Sequence, residues 1–454
     1  MKKKFKFRLS VWQWLAIAYL VGTLLGSALL VLPFATKNGE PSTSYVNALF
    51  TSASAVSMTG LSPYDTFTHW SLFGQLVILF LMQMSGLGFM TLVSAMFLIF
   101  KRNLGFGSKN AFILDSRGKY NGVGTLLKRI VIGTLIFETV GALVLMIRFI
   151  PEYGAANGIY FSIWHSVSAF CNAGFDILGT QSEKFVSLSG YVKDPLVTLT
   201  ISALIIIGSL GFAVWGDIID CKCRFKKFQL NTKVVLIVNA ILIVGGTGLF
   251  LLFERDNSMY AELNMNFGER LLAAFFNAVT PRSAGFYTTK LSSLSESGTV
   301  LTIILMFIGG GSGSTAGGLR VGTFAVITMG MIANFRGYKD ITIGKKRIED
   351  SLLSQSLALL ATLLVTVIVA TLVICTIDTK LTFENVLFET VSALSNSGLG
   401  ILSYSEQHVS IASRLILTFL MYAGRVGALN LALAIGENRH PSTVRRPIDS
   451  VLIG

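Results

Sequence analysis

Charge is scarce in this chain. Only 13% of its 454 residues are Asp, Glu, Lys or Arg, against roughly a quarter in an ordinary soluble domain, which excludes a globular protein with a fully water-facing surface. Cysteine is scarce as well. Cys171, Cys221, Cys223 and Cys375 show no C-x-x-C spacing, so neither a zinc knuckle nor a disulfide framework is spelled out. The histidines His69, His165, His408 and His440 are scattered, and no histidine chain suggests a proton relay. There is no Rossmann fingerprint and no G-x-x-x-x-G-K-[ST] loop. Isolated groups such as Glu138 and His165 offer no paired catalytic machinery, so the sequence does not read as an enzyme.

Apolar residues make up 52% of the chain. A bilayer core about 30 Å thick needs roughly 20 mostly apolar residues per spanning helix. Eight runs of that kind stand out, at 12–32, 72–100, 126–150, 196–219, 234–253, 301–334 (interrupted), 352–377 and 411–435. The first follows Lys2, Lys3, Lys4, Lys6 and Arg8, but it is long for a signal core and lacks a small-residue cleavage site, so it reads as a retained helix. Alternating sides from a cytoplasmic N-terminus places 25 of the 37 Lys and Arg inside and ten outside, with Arg320 and Arg425 at membrane depth. That bias puts both termini in the cytoplasm. It also absorbs the +13 net charge without invoking nucleic acid.

A fourfold repeat lies between odd and even runs, on the outer side: NALFTSASAVSMTGL (47–61), IYFSIWHSVSAFCNAGF (159–175), LAAFFNAVTPRSAGF (272–286) and ENVLFETVSALSNSGL (384–399). Aligned without gaps, they bring Gly60, Gly174, Gly285 and Gly398 into one column, with an aromatic residue ten positions earlier (Phe50, Trp164, Phe275, Phe388) and a large apolar one immediately after (Leu61, Phe175, Phe286, Leu399). Such periodicity means one structural unit used several times. Each stretch is too short to span and suits a re-entrant half-helix followed by a turn. Non-helical backbone at membrane depth survives only around protein or water, so the four turns should converge on a cavity. Glycine permits the backbone angles that aim carbonyls inward, and carbonyls can stand in for the hydration shell of a potassium ion. A helix C-terminus pointing at the axis adds partial negative charge. The competing reading makes each glycine a simple helix cap.

On these motifs the chain resembles the membrane subunits of Ktr-type potassium uptake systems, within the Ktr/Trk/HKT superfamily of potassium transporters, over essentially its whole length. The resemblance implies an all-α membrane protein: eight transmembrane helices plus four re-entrant pore helices, in four outer helix–pore loop–inner helix repeats with pseudo-fourfold symmetry around a central pore. The repeats would run over 1–102, 103–221, 222–336 and 337–436, followed by a cytoplasmic tail, 437–454. Its filter glycines match Gly60, Gly174, Gly285 and Gly398, and the candidate filter adds the two residues before each: Met58 and Thr59, Asn172 and Ala173, Ser283 and Ala284, Asn396 and Ser397. In that family a serine at the first glycine position accompanies sodium permeation in some members, so with Gly60 here the resemblance implies potassium preference. K+ is the expected ion and Na+ a further candidate, although no residue marks a sodium site.

The sixth run is interrupted by GGGSGSTAGG at 309–318, which opposes helix formation. An unwound segment there should face the conduction path. Close packing between helices is the alternative. Gly309, Gly310, Gly311, Ser312, Gly313, Ser314, Thr315, Gly317 and Gly318 are thus gate candidates. Arg425 joins them, because an arginine in mid-span must face a cavity or a partner. The resemblance implies that it meets loop groups near Ser312, Ser314 and Thr315 and repels cations while the loop is closed. Arg320 is expected to snorkel toward the cytoplasmic side. For Glu138, packing with a hydrogen bond is favoured over a cation relay. The resemblance further implies a plasma-membrane homodimer, with the apolar end 451–454 between protomers, and a cytosolic ring of RCK-type regulatory subunits binding ATP or ADP.

Overall fold

The computed structural model describes residues 11–37, 43–100, 123–338, 340–344, 346–402, 404 and 408–427. The tail 437–454, the apolar end 451–454 and the first repeat boundary at 102 and 103 lie outside them. Among the described residues the order long, short, long helix occurs four times. The first set is α1 (Val11–Leu30), α2 (Tyr45–Ser57) and α3 (Leu72–Phe100). The second is α4 (Val123–Tyr153), α5 (Ala155–Phe170) and the bent pair α6 (Pro195–Leu210) and α7 (Phe212–Asp220). The third is α8 (Leu230–Phe253), α9 (Phe267–Val279) and the broken pair α10 (Glu296–Phe307) and α11 (Val321–Phe335). The fourth is α12 (Asp350–Ile377), α13 (Phe383–Ser395) and α14 (Ile411–Val426).

Local chemistry starts several of these helices. Asp194 caps α6, Ser295 caps α10 and Ser410 caps α14, each accepting a backbone N–H of the first turn. Asn266 and Glu269 form a reciprocal capping box on α9.

Three described helices are long and apolar enough to cross a membrane: Lys128–Tyr153, Leu230–Phe253 and Asp350–Ile377. The pair α6 and α7 would be a fourth if taken as one span. Ile147, Val244, Leu252 and Val365 are each at least 60% exposed, an apolar exterior that water would not tolerate. The interior divides into two main clusters. One packs Phe149, Trp164, Phe170 and Phe175 against Met58 and Met82, joining the first two units. The other packs Phe388, Leu394 and Met421 against Phe50 and Leu61, joining the fourth unit back to the first.

One run and two arginines differ from the sequence expectation. The run 196–219, read as one continuous helix, turns by 91° between α6 and α7. Gly211 makes that turn at φ +99°. A Cβ there would lie 2.6 Å from the Ser312 carbonyl oxygen, so glycine at the break leaves room for the 309–318 segment. Arg282, counted with the outer basic residues, is buried at 2% exposure, and so is Arg414 at 1%. Both are held by neutral oxygens, Arg414 by Asn47 Oδ1 and the Val409 carbonyl.

Candidate functional site: a ring of glycine turns and the loop behind it

The short helices end in a shared device. After α2, Met58 N–H donates to the Ala55 carbonyl and Thr59 N–H to the Ser54 carbonyl; α5 and α13 repeat this through Asn172 and Ala173, and through Asn396 and Ser397. This is a Schellman closure, and it puts its left-handed residue at the cap. Met58, Asn172 and Asn396 accordingly have φ of 57°, 56° and 51°. The glycines are therefore not the caps. Each stands two residues further on at positive φ: Gly60 at 97°, Gly174 at 72°, Gly285 at 77° and Gly398 at 83°. Ser54 Oγ and Ser392 Oγ accept the N–H groups of Gly60 and Gly398 at 2.9 and 3.1 Å.

The third turn reaches the same endpoint by another path. Helix α9 stops at Val279, six residues before Gly285, because Pro281 cannot donate to the helix ladder. Ser283 still enters the left-handed region, at φ 67°.

The four glycines contact one another in a closed cycle. A Cβ on Gly60 would lie 2.6 Å from the Ala173 carbonyl oxygen, one on Gly174 2.7 Å from that of Ala284, one on Gly285 3.2 Å from that of Ser397, and one on Gly398 1.8 Å from that of Thr59. Each glycine thus leaves room for the carbonyl that precedes the next glycine. Hydroxyls and amides stitch the turns together. Asn396 Nδ2 donates to Thr59 Oγ1 (3.0 Å), Ser397 Oγ to the Pro281 carbonyl (2.7 Å) and Ser283 Oγ to the Ser395 carbonyl (3.2 Å). The C-termini of α2, α5, α9 and α13 run into this ring and bring their partial negative charge with them.

All four glycines line one cavity of about 530 Å³. Its wall carries Asp65, Asp176 and Glu183 with Lys184 and Lys290. Asp65 is spoken for, accepting from Thr68 N–H and Phe185 N–H at 2.9 Å each. Desolvation first, and the neighbouring Asp65 second, push the Asp176 carboxyl up to about 7. Glu389, buried in α13, accepts from Ile401 N–H, Leu402 N–H and Tyr404 hydroxyl, and so braces the chain that follows Gly398.

Away from the cavity, the 309–318 segment packs against the ring. Gly311 N–H donates to the Ser209 carbonyl (2.8 Å), Phe212 N–H to the Gly313 carbonyl (3.3 Å) and Thr315 Oγ1 to the Gly208 carbonyl (3.1 Å). Arg425 donates to the Thr315 carbonyl and, at 3.1 Å, to that of Ser85. Arg320 does not snorkel. It turns back on the loop, donating to the Ala316 and Gly311 carbonyls and to Ser314 Oγ. Those carbonyls lack helical partners, and a guanidinium satisfies several at once. Glu138 is buried against Gln83 Nε2 (3.1 Å) and Cys171 Sγ (3.8 Å).

Arg282 and Glu389 were missed at the sequence level. In the gapless alignment Arg282 occupies a column otherwise filled by Ser57, Cys171 and Ser395, and Glu389 one filled by Thr51, His165 and Phe276. An unlike residue in a repeat column was the available signal.

An apolar helical exterior, with three described helices long enough to cross a bilayer, marks a multi-pass membrane protein. The model of the TrkH family, described as a cation transport protein, matches residues 25–442. The chain belongs to that family. It is 38% identical to the potassium/sodium uptake protein NtpJ of Enterococcus hirae over 100% of this chain and 99% of that one. It is 35% identical to the Ktr system potassium uptake protein B of Bacillus subtilis, covering 97% of this chain and 96% of the relative. The crystal structure of the potassium transporter TrkH from Vibrio parahaemolyticus shares the fold, with a TM-score of 0.71 at 20% identity over 95% of this chain and 86% of that chain.

Proposed function

We propose that the chain translocates potassium into the cell through a filter formed by the carbonyls around Gly60, Gly174, Gly285 and Gly398. The observation that carries this reading is the cycle in which each glycine makes room for the carbonyl preceding the next. A dehydrated alkali cation needs oxygens from several directions at once, and four glycine turns lining one cavity supply candidates for them. In this reading eight spans and four pore helices surround one axis, both termini are cytoplasmic, and the 309–318 segment with Arg425 is the gate below the filter. Inward flow follows the membrane potential, worth about 2.3 kcal/mol per charge per 100 mV. Sodium is a second ion of interest, supported by the name of the Enterococcus relative. In this reading a homodimer of this chain carries a cytosolic nucleotide-binding regulatory ring, with ATP or ADP bound by the ring; that relatives are named as parts of a Ktr system supports the existence of a partner.

The test is growth at low potassium, with radioactive rubidium uptake, in a strain lacking its own uptake systems and given this chain with its regulatory subunit. Rescue with saturable rubidium uptake is expected, and neither appearing removes the reading. Gly60→Ser should lower discrimination against sodium. Unchanged discrimination removes the filter assignment.

A further inference from the structure

The third turn differs from the others in reaching away from the ring as well as around it. Two consecutive residues do so, and they grip opposite ends of one segment. Arg282 donates to the carbonyl of Gly309, where that segment begins, at 3.2 Å, and also to Asn239 Oδ1 on α8. It makes no ion pair among the described residues. Ser283 Oγ accepts the N–H of Gly317, near the segment's other end, at 3.0 Å while donating to the Ser395 carbonyl.

Between these grips the segment closes on itself. A Cβ on Gly309 would lie 1.7 Å from the Gly317 carbonyl oxygen. Gly309 N–H donates to the Leu319 carbonyl and Leu319 N–H to that of Phe307, both at 3.0 Å. The neck is therefore a short backbone clasp. Residues 310–316 project beyond it and meet the α6–α7 break, Arg320 and Arg425. The next residue after Ser283 is Ala284, whose carbonyl faces Gly174 in the ring.

We propose that Arg282 and Ser283 are positioning residues that clamp the neck, so that displacement of 310–316 is transmitted to the Ala284 carbonyl and the ring's ion discrimination depends on the state of the loop. A clamp made at both ends lets the middle swing without detaching, and it passes the swing to the turn that holds it. Coupling of this kind is a free energy shared by two sites and is measurable from either one.

The inference rests on the potassium reading above, and the experiment separates the two. Rubidium and sodium uptake are measured for the unaltered chain, Arg425→Gln, Ser283→Ala and the double variant, each with the regulatory subunit. Arg425→Gln frees the middle of the loop with the clamp intact, and the rubidium-to-sodium ratio should fall at least about fivefold. With Ser283→Ala in the background the same change should move the ratio less than about twofold, because the link to the turn is cut. A purely structural role for Ser283 would give equal factors in both backgrounds, and that result overturns the clamp, as does a ratio indifferent to Arg425→Gln. Should Ser283→Ala fail to reach the membrane, Arg282→Lys, which keeps the charge but on a shorter stem than the Nη2 that bridges Asn239 and the Gly309 carbonyl, makes the same comparison. No rubidium uptake by the unaltered chain overturns the potassium reading and the clamp together. Uptake with equal factors overturns the clamp alone.

Discussion

The glycine ring and the loop behind it are both built from backbone without regular structure, yet they are held in opposite ways. Every turn of the ring carries a left-handed residue and a positive-φ glycine, and three of the four are closed by the same pair of helix-end hydrogen bonds. The loop occurs in one unit only, has six glycines in ten residues, and is tied down by side chains from outside it, chiefly Arg282, Arg320 and Arg425. Oxygens that replace water around an ion must already be in place when the ion arrives, which calls for repeated rigid caps. A part that moves must instead be held by contacts that can be broken one at a time, at the low end of local stability.

The largest effect should come from stiffening the ring where it has no room. Gly398→Ala adds a methyl 1.8 Å from the Thr59 carbonyl oxygen at φ +83°, beyond the roughly 1–2 kcal/mol that a left-handed angle costs an ordinary residue. Rubidium uptake should fall at least about a hundredfold, equivalent to roughly 2.7 kcal/mol. Retained uptake would mean the ring is softer than the comparison requires.

Loosening the loop should act in the other direction. Arg425→Gln removes a charged donor from the Thr315 carbonyl, a bond of the kind worth roughly 1.5–3 kcal/mol. Uptake measured without the regulatory subunit should rise about tenfold. A fall would place Arg425 among the supports of the ring.

The smallest effect concerns the cavity wall. The folded chain favours protonated Asp176, whose value is raised from 3.8 to about 7. Its contribution to stability is therefore full below about pH 4 and is lost as pH rises through about 7. Over the same range the wall gains a negative charge, and rubidium capture should rise about two- to threefold between pH 6 and 8. Asp176→Asn should flatten both dependences, and an unchanged pH profile for uptake would assign the rise to another group.

What could be read from the residues and what could not follows the range of the forces. The ring's glycine column was legible because a positive φ is demanded locally. The caps at Met58, Asn172 and Asn396 were not, since methionine carries no propensity signal for that conformation and asparagine only a weak one. The bend at Gly211 was hidden inside an apolar run that reads as one helix. It is made by the arrival of Ser312 from the third unit. Arg282 looked like an outer-loop charge because positive-inside counting sees only position along the chain. Its burial depends on the Gly309 carbonyl, 27 residues away and lacking a helical partner.

By itself the amino-acid sequence determined that this chain is apolar, fourfold repeated, helical, and broken at 309–318, because periodicity, glycine and hydropathy act over a few neighbouring residues. Only the tertiary structure decided which carbonyl faces which glycine, which arginines turn inward, and where the loop is gripped. Those outcomes depend on backbone groups from different units meeting at distances of about 3 Å, and no local preference encodes a partner a hundred residues away.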